Sequence, residues 1–373
     1  MMIVIDADAH VEESPATFSD KYLDPAFRDR RPQVVRSDGR LYWRVEDQIY
    51  PRLVGRACHN MGTPTNYQGE KSFYSAAKPE TVESMEISDP KARLKDMDAE
   101  ELAVQVLYPS FFLVHPLVAD STLGAALCSS YNRWLADVTG SSDRLQWAAV
   151  VNLDSVAAAV HEVREAKKLG AVSVMILGTV GDRLLDHTSL FPFYEAVAEE
   201  DLTLAVHVGW SCPPLSNLYD HLYPSTVIPF LIPVLMGFTS LLSGGILDRF
   251  PSLRVAFLEA GCLWVHFLLD RLEHRFAFTT RFSKSIPETA PRAACPPLDY
   301  MRRGNLYVGI EVEDPLLPQV LDLVGEDQLI FGSDMPHGDR ERFTARTLRD
   351  RKDIGESAKE KILEMNARRL YRI

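Results

Sequence analysis

Ile3-Val4-Ile5-Asp6-Ala7-Asp8-Ala9-His10 opens the chain as an oily run that passes directly into spaced ligand residues. In an extended strand, side chains alternate between faces, so Asp6, Asp8 and His10 share one face and Ile3, Ile5, Ala7 and Ala9 the other. Burying even a neutral polar group without a partner costs roughly 2–7 kcal/mol. A buried face of two carboxylates and an imidazole therefore asks for a cation, whereas the same face in water asks for nothing. The stretch alone leaves both readings open, and the rest of the chain decides between them.

Composition narrows the setting. The 373 residues are 46% hydrophobic and 25% charged, an ordinary balance for a globular chain with a sizeable core. Forty Lys and Arg against 52 Asp and Glu give a formal charge of -12, which argues against nucleic acid or an anionic membrane as a partner. The five cysteines, Cys58, Cys128, Cys212, Cys262 and Cys295, are odd in number and form no C-x-x-C pair, which points to free thiols and a cytoplasmic setting. The start of the chain lacks a basic segment followed by an apolar one, and the longest oily run, Val227 to Leu242, is interrupted by Pro229, Pro233 and Gly237. No membrane span is therefore expected.

Beyond the first strand, Pro15 to Pro90 is rich in Arg, Asp, Gly, Pro and aromatic residues, with a hairpin expected around Asp38-Gly39. This segment reads as an insertion that forms a lid or a dimer contact. A regular rhythm then begins. Apolar strands are expected at 103–108, 145–152, 171–177, 202–207, 254–259, 305–310 and 329–334, separated by helical stretches such as 91–102, 117–139, 190–201 and 263–275. Asp154 is placed to cap the helix that follows the 145–152 strand. A second interruption, Ser211 to Gly245, follows the fifth strand.

With the first strand the count is eight, each strand followed by a helix, as in a parallel sheet covered on both faces. A (β/α)8 barrel typically takes ~250 residues and grows with insertions. The fold expected is thus α/β, a single distorted (β/α)8 TIM barrel spanning 1–373, with insertions after strands one and five. The open doubly wound sheet is the competitor, but no G-x-G-x-x-G or G-x-x-x-x-G-K-[ST] follows the first strand.

The residues ending these strands carry the chemistry: Asp8 and His10 on strand one, His207 on strand five, Glu259 on strand six and Asp334 on strand eight. In a barrel all these ends face one mouth, where groups distant in sequence meet. Two imidazoles and two carboxylates, from Asp8, His10, His207 and Asp334, suit Zn²⁺ or another borderline divalent ion such as Mn²⁺ or Fe²⁺, with a position left for water. His337 follows the eighth strand closely enough to face a substrate or support the ion, and Trp210 and Trp264 fall near the mouth as flat surfaces for a substrate.

Several segments, in order, resemble the amidohydrolase superfamily, in the amidohydrolase-related branch that includes aminocarboxymuconate-semialdehyde decarboxylase. They are Ile5-Asp6-Ala7-Asp8-Ala9-His10, Arg93 to Asp98, Val104 to Pro109, Tyr131 to Leu135, Gly245 to Pro251, Gly332-Ser333-Asp334-Met335-Pro336-His337 and Asn366 to Tyr371. The resemblance implies a distorted barrel with one divalent metal at its mouth, held by Asp8, His10, His207 and Asp334. Asp8 departs from the superfamily's H-x-H motif in a way part of the branch shares. The fourth strand, Ala171 to Leu177, has no lysine of the kind binuclear relatives carboxylate. A second departure is sharper: where the branch's decarboxylases end strand six in histidine, this chain has Glu259.

The function expected from these residues is a metal-dependent hydrolase in which Asp334 takes a proton from water that attacks a carbonyl of a small organic acid, with Glu259 and His337 assisting. Non-oxidative decarboxylation of an aromatic or unsaturated acid is the alternative within the fold, and a barrel that binds without catalysis is the alternative outside enzymology. A small-molecule substrate and a homodimer are the partners expected.

Overall fold

The computed structural model describes residues 3–338 and 340–373. Eight parallel strands follow one another in sequence order: β1 (Ile5–Val11), β2 (Val104–Pro109), β3 (Leu145–Val150), β4 (Ser173–Leu177), β5 (Thr203–His207), β6 (Arg254–Leu258), β7 (Leu306–Ile310) and β8 (Leu329–Phe331). Every residue of β4, β5, β6 and β7 is buried, as expected for strands covered on both faces. The sheet curls into a nearly closed barrel. Beyond the end of β8 the backbone meets β1, with Asp334 N donating to Asp8 O at 2.9 Å and His10 N donating to Met335 O at 2.7 Å.

Helices pack outside the strands: α1 (Pro90–Ala99), α2 (Ser121–Thr139), α3 (Val156–Lys168), α4 (Phe191–Glu199), α5 (Ile228–Ser243), α6 (Leu263–Phe282), α7 (Leu317–Val324), α8 (Thr344–Asp350) and α9 (Asn366–Tyr371). The last helix returns to the barrel. Tyr371 Oη donates to Ala7 O at 2.8 Å and shares a 2.8 Å hydrogen bond with Tyr108 Oη, fastening the chain's end beneath its first strand.

Boundaries shift from expectation where side chains override pattern. α6 runs on to Phe282 rather than stopping near Arg275. Asp154 is not the cap of α3; Ser155 occupies that position without a capping side-chain bond, and Asp154 instead pairs with Arg183 at 3.2 Å. The prolines within 227–242 do not interrupt the helix as the sequence suggested. Pro229 lies in the first turn of α5, where a missing N–H costs nothing, and Pro233 is held inside it. Leu222–Ser243 is consequently long and apolar enough to cross a membrane by length and composition, although half of it is buried within the protein. Part of that burial is against Gly178 just beyond β4, where an added Cβ would lie 1.9 Å from Pro233 O.

The expected hairpin forms, with Val35 opposite Tyr42, as part of a three-stranded antiparallel sheet at 33–37, 40–45 and 48–50. Together with the short hairpin at 66–71, it stands over the end of β1 and walls a cavity of about 1160 Å³.

Candidate metal centre

Strand β1 carries Asp6, Asp8 and His10 into the interior of the barrel. The register with β2 slips between Asp6 and Ala9, so the strand does not alternate cleanly, and all seven of its residues are buried. Asp6 is turned toward the barrel wall. It accepts from Ser333 N at 2.8 Å, Ser333 Oγ at 2.5 Å and Gln105 Nε2 at 2.8 Å, and burial pushes its carboxyl up to about 6 despite these donors. Asp8 and His10 face the mouth. Gly332 allows the approach from the other side, since a Cβ there would sit 2.7 Å from Asp8 Cβ.

The sequence-derived residues converge. His207 Nε2 lies 3.3 Å from Asp8 Oδ1, His10 Nε2 lies 3.6 Å from the same oxygen, and Asp334 Oδ1 is 3.4 Å from His10 Nε2. Glu259 Oε2 is 3.3 Å from both His10 Nε2 and His207 Nε2. Asp334 lies beyond the end of β8 rather than within it, and Glu259 directly follows β6. Both adopt the left-handed backbone conformation, with φ of 54° and 59°. Non-glycine residues held there are strained, and such strain concentrates where a side chain must be aimed.

The imidazole tautomers follow from their outer contacts. His10 Nδ1 is 3.0 Å from Pro109 O and His207 Nδ1 is 3.1 Å from Val208 O, and a carbonyl can only accept. Each ring therefore carries a hydrogen on Nδ1 and turns its Nε2 to the cup. Burial lowers the His10 imidazole well below its ordinary value, so that ring stays neutral. Its Nε2 is buried with no hydrogen-bond donor. Lone pairs facing carboxylate oxygens repel unless a positive centre lies between them. The separations of 3.3 to 3.6 Å match the edges of a shell whose ligands stand ~2.0–2.2 Å from one ion. The donor set thus fits a divalent metal held by His10, His207, Asp8 and Asp334.

His337 forms a second layer. Its ring stacks on His10 with centroids 3.9 Å apart, and its Nδ1 lies 2.6 Å from Asp334 Oδ1. Ser110 Oγ spends its one hydrogen on Val11 O at 3.0 Å, so at 2.8 Å it accepts from His337 Nε2. Both ring nitrogens then carry protons. Burial alone would lower His337, but the adjacent Asp334 carboxylate outweighs it and the net effect is upward.

The two tryptophans separate. Trp210 lines the cavity, its Nε1 donating to Ser225 Oγ at 3.0 Å and its ring 4.6 Å from Phe230. Trp264 packs on Phe238 and Phe257 at 5.0 and 6.3 Å and donates to Gly261 O, and it is not among the cavity's lining residues. Several partners escaped the sequence reading. Ser110 follows the end of β2 and was open to the strand-end rule. Lys78, whose Nζ pairs with Glu12 at 2.9 Å and sits 3.5 Å over the Tyr74 ring, comes from the insertion, where no periodic pattern marks it.

A family model described as Amidohydrolase matches residues 5–373. The chain is 24% identical over 288 residues to 2-amino-3-carboxymuconate-6-semialdehyde decarboxylase of Dictyostelium discoideum, covering 75% of each chain. Among solved structures, an amidohydrolase from Mycobacterium avium subsp. paratuberculosis K-10 superposes with a TM-score of 0.78 at 23% identity, covering 99% of both chains. A 5-carboxyvanillate decarboxylase from Novosphingobium aromaticivorans, complexed with manganese and 4-hydroxy-3-methoxy-5-nitrobenzoic acid, superposes at 0.66 with 22% identity over 79% of this chain and 83% of that one. With a match that runs from the first barrel strand to the final residue, the chain belongs to the amidohydrolase family.

Proposed function

We propose that the protein is a metal-dependent, non-oxidative decarboxylase of a small aromatic or unsaturated carboxylic acid. The observation that carries this reading is the cup itself: two imidazoles and a set of carboxylates, with an Asp334–His337 pair beside them, at the foot of a large cavity with an aromatic wall. Decarboxylase relatives favour this reaction over the hydrolysis expected from sequence. A divalent ion held by Asp8, His10, His207 and Asp334 would act as a Lewis acid on oxygen substituents of the substrate. Manganese, present in the Novosphingobium neighbour, is the ion to load first, ahead of zinc.

The protein's residues supply the rest. Cleaving the bond to the carboxyl group releases CO2 and leaves an electron pair on carbon, which a proton must take up. Asp334 and His337 hold a proton between Oδ1 and Nδ1 at 2.6 Å, and His337 is kept protonated by Asp334 and oriented by Ser110. Trp210 and Phe230 offer an apolar aromatic wall for the acid's carbon skeleton. Hydrolysis remains the second reading because the same pair, running in reverse, could accept a proton from water.

Incubating manganese-loaded protein with 5-carboxyvanillate and simple hydroxybenzoates, while following CO2 and the mass of the product in D2O, tests the proposal. Release of CO2 with one deuterium at the vacated carbon is expected. Cleavage of model esters or thioesters without any CO2 would overturn it in favour of the hydrolase.

A further inference from the structure

The residue that follows β6 is Glu259, where the resemblance to the branch's decarboxylases implies a histidine, and its geometry speaks to its role. Glu259 Oε2 stands 3.3 Å from His10 Nε2 and 3.3 Å from His207 Nε2. Asp8 Oδ1 stands 3.3 Å from His207 Nε2 and 3.6 Å from His10 Nε2. The two carboxylates thus occupy equivalent stations about the same pair of imidazole Nε2 atoms. Both rings turn Nδ1 to a backbone carbonyl, which leaves Nε2 as the ligand atom each presents beside Glu259. His10, Glu259, Asp334 and His337 also offer ligand atoms within 4.8 Å of one another. The left-handed backbone at Glu259 directs its side chain into this space.

We infer that Glu259 is a direct ligand of the divalent ion, an additional carboxylate in the shell, rather than an acid or base acting on substrate. This rests on the metal reading given above and goes beyond it in composition and consequence. Three carboxylates and two imidazoles make an oxygen-rich shell. Such shells suit Mn²⁺ and related hard ions, whereas imidazole-rich ones suit Zn²⁺. They also leave the loaded centre with net negative charge, which weakens its pull on a bound oxygen. A centre of this kind is suited to holding and orienting an acid and poorly suited to generating hydroxide at neutral pH. The substitution of glutamate for histidine at the end of β6 would then select the ion and disfavour hydrolysis together.

The test is equilibrium metal binding to the whole chain after chelation, by calorimetry with Mn²⁺ and Zn²⁺ and by the electron paramagnetic resonance spectrum of the Mn²⁺ form. Glu259→Asn is the first variant because asparagine tolerates the left-handed backbone. Glu259→Gln is the second, keeping side-chain length. Both should bind Mn²⁺ more than about 100-fold more weakly, beyond the roughly 10–100-fold cost of losing an outer-shell partner. Zn²⁺ should weaken less, and the Mn²⁺ spectrum should change. Circular dichroism of the metal-free variants separates a lost ligand from a lost fold, with Glu259→Asp as a carboxylate-retaining control expected to recover part of the affinity. Unchanged Mn²⁺ affinity and spectrum in folded Glu259→Asn and Glu259→Gln would overturn the inference and leave the metal reading standing. Failure of the unsubstituted protein to bind either ion would remove both.

Discussion

Glu13, two residues beyond β1, shows how much a single buried group can set. Its Oε2 accepts from Phe111 N at 2.8 Å and Ser110 N at 3.3 Å, yet burial pushes the carboxyl up from 4.5 to about 8. From about pH 4.5 to pH 8 the folded chain therefore holds a proton there that the unfolded chain has released. Stability contributed by that proton is lost as pH rises through this window. Burial raises Glu86 to about 7 and Asp6 to about 6, which act in the same direction at lower pH. Each tenfold difference in proton affinity between the folded and unfolded chain corresponds to about 1.4 kcal/mol. Urea denaturation of the metal-free protein should thus show stability falling by a few kcal/mol between about pH 6 and pH 8. Glu13→Gln keeps an acceptor for the two amides and loses the titration, so its upper slope should flatten; an unaltered slope would rule Glu13 out as the cause. At this scale the sequence was a good guide to which strand-end residues meet, because the barrel topology brings them to one mouth, but not to Asp6, which the register slip in β1 turns toward Ser333 and Gln105. It was silent on Glu13, whose environment is made by residues about a hundred positions away.

At the scale of elements, the chain at the ends of β1 and β8, which carries His10 and Asp334, is tied together from behind by α1. Arg93 is fully buried; its Nη2 donates to His10 O at 2.9 Å and Met335 O at 3.0 Å, and its Nε to Gln105 Oε1 at 2.8 Å. Gln105 in turn donates to Asp6, which receives Ser333. Hydrogen bonds to a charged group contribute roughly 1.5–3 kcal/mol each. Arg93→Met, which fills the volume without the donors, should lower unfolding free energy by about 3 kcal/mol or more. It should also weaken metal affinity, because the carbonyls it anchors belong to His10 and to the residue after Asp334. A variant with wild-type stability by chemical denaturation would contradict this account. The strands and helices were readable from apolar periodicity, including the hairpin at Asp38-Gly39. What misled was local signalling: Asp154 resembles a cap but serves Arg183, and the prolines of α5 resemble breaks but sit where the helix tolerates them.

For the whole molecule, the cup gathers carboxylates and imidazole lone pairs whose mutual repulsion an ion would relieve. An ion that binds only the folded state adds ~2.7 kcal/mol at a free concentration 100 times its Kd. Chelation followed by manganese at that excess should move the urea midpoint upward by the corresponding amount, and a midpoint indifferent to the ion would show that the cup does not hold it. The architecture was legible because eight repeats of strand and helix are a long-range pattern. The cavity was not, because its walls come from an insertion without periodicity, whose side chains acquire meaning only against His337 and Trp210.

The closure of the barrel bears on when such a site comes into being. Its first ligands emerge with the opening residues of the chain, but His10 N meets Met335 O, Ser333 N meets Asp6, and Tyr371 fastens Ala7. Asp6, Ala7 and His10 are thus fixed in place only once residues more than 300 positions further on have packed against them. A chain cut before the 366–371 helix would present Asp8 and His10 without the closed barrel's geometry, and would bind a metal there more weakly.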